Sequence, residues 1–362
     1  MKRVLHKLTA LALGLGLSLL VLEAAVRILR PGEYRAPTLT TMDGETLADL
    51  SGVIGLLQDV QAGGSPRERV RTALTPNEVV MGCYDRPRWD YFDENGCVEY
   101  KMNSLGFRDL EFSQDKPAGE FRVIALGDSF TFGVGVQLQD TWAQQLERVL
   151  QAERHGPVEV INCGFVAGHK PPAYLQWIRE EAMKLQPDVV IVGLCLNDMG
   201  GIPMMAYDAR EDSCLSKLWG LIKRRLHSYR VERALARQET AKKSKAKAAD
   251  FVRVIRNDPR DWNATQRALL KSKAFLEQRG VRFAVAILPM LSELHREGRY
   301  APLHQMVTRF ALKNGLEVID CGPPFLGLEE SELWAHPTDQ HPNDVGQAML
   351  ARSILASLRV PR

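Results

Sequence analysis

From residue 121 onward, five short apolar runs rich in β-branched residues alternate with amphipathic stretches, and this alternation restricts the fold more than any other feature. The runs cover residues 122–126, 158–161, 188–193, 281–288 and 316–320. They lack the in–out alternation of a half-solvated strand, so each reads as a strand buried on both faces. The amphipathic stretches are 141–153, 172–185, 264–278, 302–313 and 345–358, with Asp140 as a candidate N-cap of the first. Strand–helix alternation predicts an α/β fold, a parallel sheet covered by helices on both faces. Right-handed crossovers then bring the carboxyl ends of all strands to one edge, where open sheets bind their ligands.

Polar blocks punctuate those strand ends. Gly127-Asp128-Ser129 follows the first run, Asn162-Cys163-Gly164 the second and Leu196-Asn197-Asp198 the third, while Asp339-Gln340-His341 lies far downstream. Any one block is equally a turn or a helix cap. Together they meet the needs of acyl transfer: a nucleophile, a base, a group that orients the base, and donors for an oxyanion.

The set resembles the SGNH (GDSL-type) hydrolases, of the membrane-anchored bacterial envelope type, over about residues 121–358. The resemblance implies a three-layer α/β/α, flavodoxin-like fold with five parallel strands. It implies Ser129 as nucleophile and His341 as base, with an oxyanion hole formed by the Ser129 and Gly164 backbone N–H groups and the Asn197 side chain. That family usually places its acidic residue three positions before the histidine. Here Thr338 stands there and the carboxylate is Asp339, two positions before, so Asp339 is assigned to orient His341. A Ser–His dyad is the alternative, with Asp339 then an N-cap or turn residue. Asp128 and Asp198 are expected to hold turns, Asn162 and Gly168 to shape the second-block loop, and Cys163 and Cys195 to pack.

Outside residues 121–362 the chain divides in two. Lys2, Arg3 and Lys7 precede an apolar run over residues 8–22, which reads as a signal anchor within residues 1–30 that leaves the rest of the chain outside the cytoplasm. A cleaved signal is the alternative, although the small-residue site it requires is poorly formed at Ala24-Ala25. Residues 31–120 are punctuated by turn signals and read as an irregular extension; within them, Asn103 to Asp109 reads as a tight turn leading onto the main domain. Cys83 and Cys97 are spaced to permit a disulfide outside the cytoplasm, or are two of six free thiols. The stretch 199–261 is too long for a plain connection and reads as a helical insertion. Its basic residues at 218–226 and 242–247 face water or a membrane surface.

A formal net charge of +3 gives no reason to expect nucleic acid. The absence of a CxxC pair and of a phosphate-cradling glycine loop gives none to expect a metal or other cofactor. The expectation is therefore a serine esterase of the envelope that needs no cofactor, takes a lipid or O-acylated glycan ester as partner and meets the membrane through its N-terminal helix. An O-acyltransferase using the same acyl-enzyme, or a non-catalytic glycan-binding relic, is the alternative.

Overall fold

The computed structural model describes residues 18–22, 24, 37–42, 46–49, 76–154, 156–165, 169–199, 251–292, 294 and 300–358. The chain divides into two compact units, Met1–Ala36 with Asp208–Lys247, and Pro37–Tyr207 with Ala248–Arg362. In the first unit only residues 18–22 and 24 are described; they are helical, and Leu19, Leu20, Val21 and Leu22 are exposed. No helix among the described residues is long and apolar enough to cross a membrane. Most of the expected anchor, the residues 200–250 of the expected insertion and Gly168 lie outside the described residues.

The second unit is built on the expected parallel sheet. Its strands are β5 (Phe121–Gly127), β6 (Val158–Gly164), β7 (Val189–Cys195), β8 (Arg282–Leu288) and β9 (Glu317–Asp320), in the spatial order β6-β5-β7-β8-β9. All neighbouring pairs are parallel. All seven residues of β5 and all seven of β7 are buried, as their unbroken apolar runs require. Each fully buried Val, Ile or Leu there contributes about 1.5–3 kcal/mol.

Helices α2 (Trp142–Glu153) and α7 (Asp344–Ser357) pack together on one face, and α3 (Pro171–Glu180) packs against α5 (Arg260–Glu277) on the other. Helix α4 (Phe251–Asn257) precedes α5, and α6 (Ala301–Lys313) covers β9. The N-cap of α2 is Thr141, whose hydroxyl accepts from Gln144 N, and not Asp140, which closes a preceding 3-10 turn. The order reverses between β6 and β7, on either side of β5. Such a switch opens a crevice at the carboxyl ends of the strands.

Residues 31–120 depart from the expectation of an irregular extension. They hold an antiparallel sheet of β1 (Thr38–Thr41), β2 (Thr46–Asp49), β3 (Val79–Cys83) and β4 (Cys97–Lys101), in the order β2-β1-β3-β4. The strands have four or five residues each, too few for a visible period. Cys83 and Cys97 sit directly opposite in the β3–β4 register and are disulfide-bonded. Val80, Tyr84, Val98 and Tyr100 form a small core with Phe132 and Val134, so this sheet closes against the segment just after β5.

Candidate active site

Gly127, Asp128 and Ser129 form a strand-to-helix junction. Helix α1 (Ser129–Phe132) is a single turn lying across the strand ends, and Asp128 caps it by accepting from Phe130 N at 3.0 Å. The turn fits there because two strands end in glycine. A Cβ at Gly127 would lie 2.2 Å from Thr131 Oγ1, and one at Gly164 would lie 2.1 Å from Phe132 N. Any side chain at either position would push α1, and Ser129 with it, off the sheet edge.

Asp339 and His341 arrive on a hairpin of β10 (Trp334–His336) and β11 (Asp339–Pro342). His341 Nε2 lies 2.8 Å from Ser129 Oγ, and His341 Nδ1 lies 2.5 Å from Asp339 Oδ1. Asp339 also accepts from the His341 backbone N–H at 3.0 Å. It does not cap the last helix; Asn343 does, accepting from Gly346 N at 2.9 Å. Thr338 is turned away, its hydroxyl 2.7 Å from His336 Nδ1. Burial favours a neutral Asp339, but the charge and hydrogen bond of His341 and the hydroxyl of Tyr84 outweigh it and hold the carboxyl below its ordinary range. Burial likewise disfavours imidazolium, yet Asp339 and, more weakly, Asp128 hold the His341 pKa above that of a free histidine.

Asn197 lies in the 3-10 turn Leu196–Met199 after β7, half-buried, with its Oδ1 unpaired among the described residues. The Ser129 N–H opens α1 and has no acceptor among the described residues. The Ser129 N–H is thus free to serve a negatively charged oxygen, while the Asn197 amide N–H, its side chain's donor, lies toward the Asp128 carboxyl. Gly164 differs from expectation: its N–H donates to Asn162 Oδ1 at 3.0 Å within a buried strand end, so it is not a free oxyanion donor. What requires glycine at this position is the close approach of α1.

Burial pushes the Asp128 carboxyl up, against the Phe130 N–H, the His341 ring and the Asn197 amide, and pushes the neighbouring Asp198 further up. Cys163 and Cys195 are buried, and burial raises both thiols, which suits packing and not nucleophilic attack.

Several residues at this site were not legible in the sequence. The Tyr84 hydroxyl donates to Asp339 Oδ2 at 2.7 Å. Arg108, fully buried, donates to the carbonyls of Phe132 (2.8 Å), Gly133 (2.6 Å) and Val136 (2.6 Å), tying down the end of α1. Asp109 accepts from Asn162 N at 2.7 Å and from Gln144 Nε2 at 2.8 Å. Arg108 and Asp109, at the buried end of the turn over residues 103–109, therefore clamp the segment after the first block and the start of the second. A charged Arg-Asp pair in a turn was the only sequence signal of this clamp.

Farther along the sheet edge, a largely apolar cavity of about 200 Å³ is bordered by Met290, Ser292, Tyr300, His304 and Asp320. His304 Nδ1 lies 2.6 Å from Asp320 Oδ1.

Among solved structures, a lipolytic protein of the G-D-S-L family from Desulfitobacterium hafniense is 14% identical, with 66% of this chain and 99% of that chain covered and a TM-score of 0.39. A catalytic mutant of an acetylxylan esterase from Geobacillus stearothermophilus is 13% identical, with 69% and 100% covered and a TM-score of 0.42. A member of the lipolytic protein G-D-S-L family from Veillonella parvula is 14% identical, with 65% and 97% covered and a TM-score of 0.38. No curated protein matches the chain. Residues 125–349, which run from β5 to α7 and contain every one of the four blocks, match the GDSL-like Lipase/Acylhydrolase family; the chain belongs to that family and is an ester-hydrolysing enzyme.

Proposed function

We propose that this acyl hydrolase is a serine esterase of the cell envelope, acting outside the cytoplasm on an ester of a lipid or an acylated glycan. The observation that carries the catalytic reading is the continuous path from Ser129 Oγ through His341 to Asp339. In this reading Ser129 Oγ attacks the acyl carbonyl as its proton passes to His341 Nε2. The carbonyl oxygen becomes an oxyanion held by the Ser129 N–H and the Asn197 amide. His341 then protonates the leaving alkoxide, the C–O ester bond breaks, and an acyl-enzyme remains. Water, deprotonated by the same imidazole, attacks the acyl-enzyme; its collapse frees the acid and restores the serine. Asp339 holds Nδ1–H, keeps Nε2 free for the serine proton and stabilises the imidazolium.

Two features support the extracytoplasmic reading. The Cys83–Cys97 disulfide suits an oxidising compartment. The basic residues and apolar run of the first 22 positions suit a membrane anchor with its amino end in the cytoplasm.

The test is labelling with a fluorophosphonate probe, followed by a screen of acyl donors with and without glycan acceptors. Labelling of the wild type at Ser129, with release of free acid, supports the esterase. Acyl transfer to the glycan in preference to water would make the protein an O-acyltransferase. Deleting residues 1–30 should release active protein from membranes; cytoplasmic activity of a reporter fused after Arg362 would reverse the orientation.

A further inference from the structure

The antiparallel sheet and the hydrolase core meet at the carboxylate of Asp339. Tyr84 leaves β3 immediately after Cys83, and its own backbone N–H bonds Gly96 O at 3.0 Å, on the far side of the disulfide. Its ring packs edge-on against Phe92, with centroids 5.2 Å apart, and tilts against His336 at 5.4 Å. The hydroxyl ends 2.7 Å from Asp339 Oδ2, the carboxylate oxygen that His341 does not use. Burial and the adjacent Asp339 charge push the Tyr84 pKa well up, so the group remains O–H and donates.

The room for this contact is made by Gly135, in the left-handed region at φ 82°. A Cβ there would lie 2.4 Å from Ala335 Cβ and 3.1 Å from the Tyr84 hydroxyl. The same sheet reaches the nucleophile's side as well, since Tyr100 Oη accepts from Gly135 N at 2.9 Å and Arg108 bonds the carbonyls that end α1.

We propose that Tyr84 is a positioning residue of the catalytic relay, held in place by the Cys83–Cys97 bridge, so that the active site is complete only when the antiparallel sheet is folded onto the core. The proposal rests on the serine-esterase reading above. A buried carboxylate held through one oxygen only, as Asp339 would be by the two His341 contacts on Oδ1, can tilt or share its second oxygen with water. With Tyr84 on Oδ2, only Oδ1 is left for the imidazole, and its direction is set. The Tyr84 hydrogen bond also draws charge toward Oδ2. Without it, the carboxylate's charge concentrates on the His341 side and favours imidazolium, so the base loses its proton only at higher pH.

The test is Tyr84→Phe, which keeps the ring and removes one oxygen. Expected are a fall in kcat of about tenfold, the effect of one lost hydrogen bond to a charged group, with KM unchanged. The acidic limb of the kcat/KM profile should move to higher pH. Val98→Ala, in the same small core, separates positioning from stability: it should lower Tm while leaving kcat and the acidic limb in place. A Tyr84→Phe enzyme with wild-type kcat and limb overturns the proposal, as does a Val98→Ala enzyme that reproduces the Tyr84→Phe profile. Ser129→Ala, run in parallel, distinguishes the two readings. Turnover and probe labelling that survive it would refute the serine mechanism, whereas an inactive Ser129→Ala beside a wild-type Tyr84→Phe would refute the positioning role alone.

Discussion

Two aspartate–histidine pairs stand along the carboxyl edge of the same parallel sheet, and their bond lengths are nearly the same. His341 Nδ1 is 2.5 Å from Asp339, and His304 Nδ1 is 2.6 Å from Asp320. Their surroundings differ. The ring of His341 ends on a serine hydroxyl, and its aspartate is buried, with a second donor from Tyr84. The ring of His304 faces a largely apolar cavity, where the hydroxyls of Ser292 and Tyr300 bond each other at 3.2 Å. The side chain of Asp320 is 34% exposed, against 6% for Asp339, so water screens one pair and not the other. An oriented imidazole is thus common to both places. What distinguishes the first is a serine hydroxyl in reach, an unpaired backbone N–H on that serine and a dry carboxylate.

The comparison can be broken most directly at its nucleophile. Ser129→Ala and His341→Ala should each remove about 10⁶ of the turnover of p-nitrophenyl acetate, with the fold intact by circular dichroism. A His341→Ala enzyme that keeps its rate would dissolve the distinction between the pairs. Next in size is Asp339→Asn, expected to cost about 10⁴ in kcat by favouring the wrong tautomer.

The same substitution has a signed effect on pH. Asp339 raises the His341 pKa, and the base must be neutral to act. The wild-type acidic limb should therefore lie above that of a free histidine, and Asp339→Asn should move the residual activity's limb to lower pH. An unmoved limb would show that another group controls it.

A smaller loss, of about 10²–10³ in kcat with little change in KM, is expected for Asn197→Ala, read by steady-state kinetics. An effect on KM alone would place Asn197 in substrate binding. Smallest are the controls. Thr338→Ala, which loses only a contact to His336, and His304→Ala should hold kcat within about twofold on a short acyl ester, a change of less than about 0.5 kcal/mol in barrier. A large kcat loss in His304→Ala would mean that the second pair takes part in the chemistry.

The two sheets show why one part of the molecule was legible and the other was not. Strands β5 to β8 have seven residues each and are buried on both faces, so apolar runs and the helices between them are visible without a structure. Strands β1, β3 and β4 are four or five residues long and lie among turn signals, and they owe their order to a disulfide and to packing on the core. The catalytic candidates divide in the same way. Ser129, Asn197, Asp339 and His341 sit where strand ends and blocks predict. Gly164 ends its strand as its block predicts, but its N–H is taken by Asn162, two residues away.

Read without a structure, the chain already marks the parallel sheet, the edge on which the polar blocks meet and the serine and histidine proposed as nucleophile and base, because these depend on local periodicity and on residue chemistry at strand ends. Which oxygen meets which nitrogen is fixed by the packed fold alone. Tyr84 and Asp339 are 255 positions apart, and Ser129 and His341 are 212 apart. Contacts over such separations leave no local pattern. They form only when the burial of two distant core segments brings the groups together, and burial then gives the hydrogen bonds their strength.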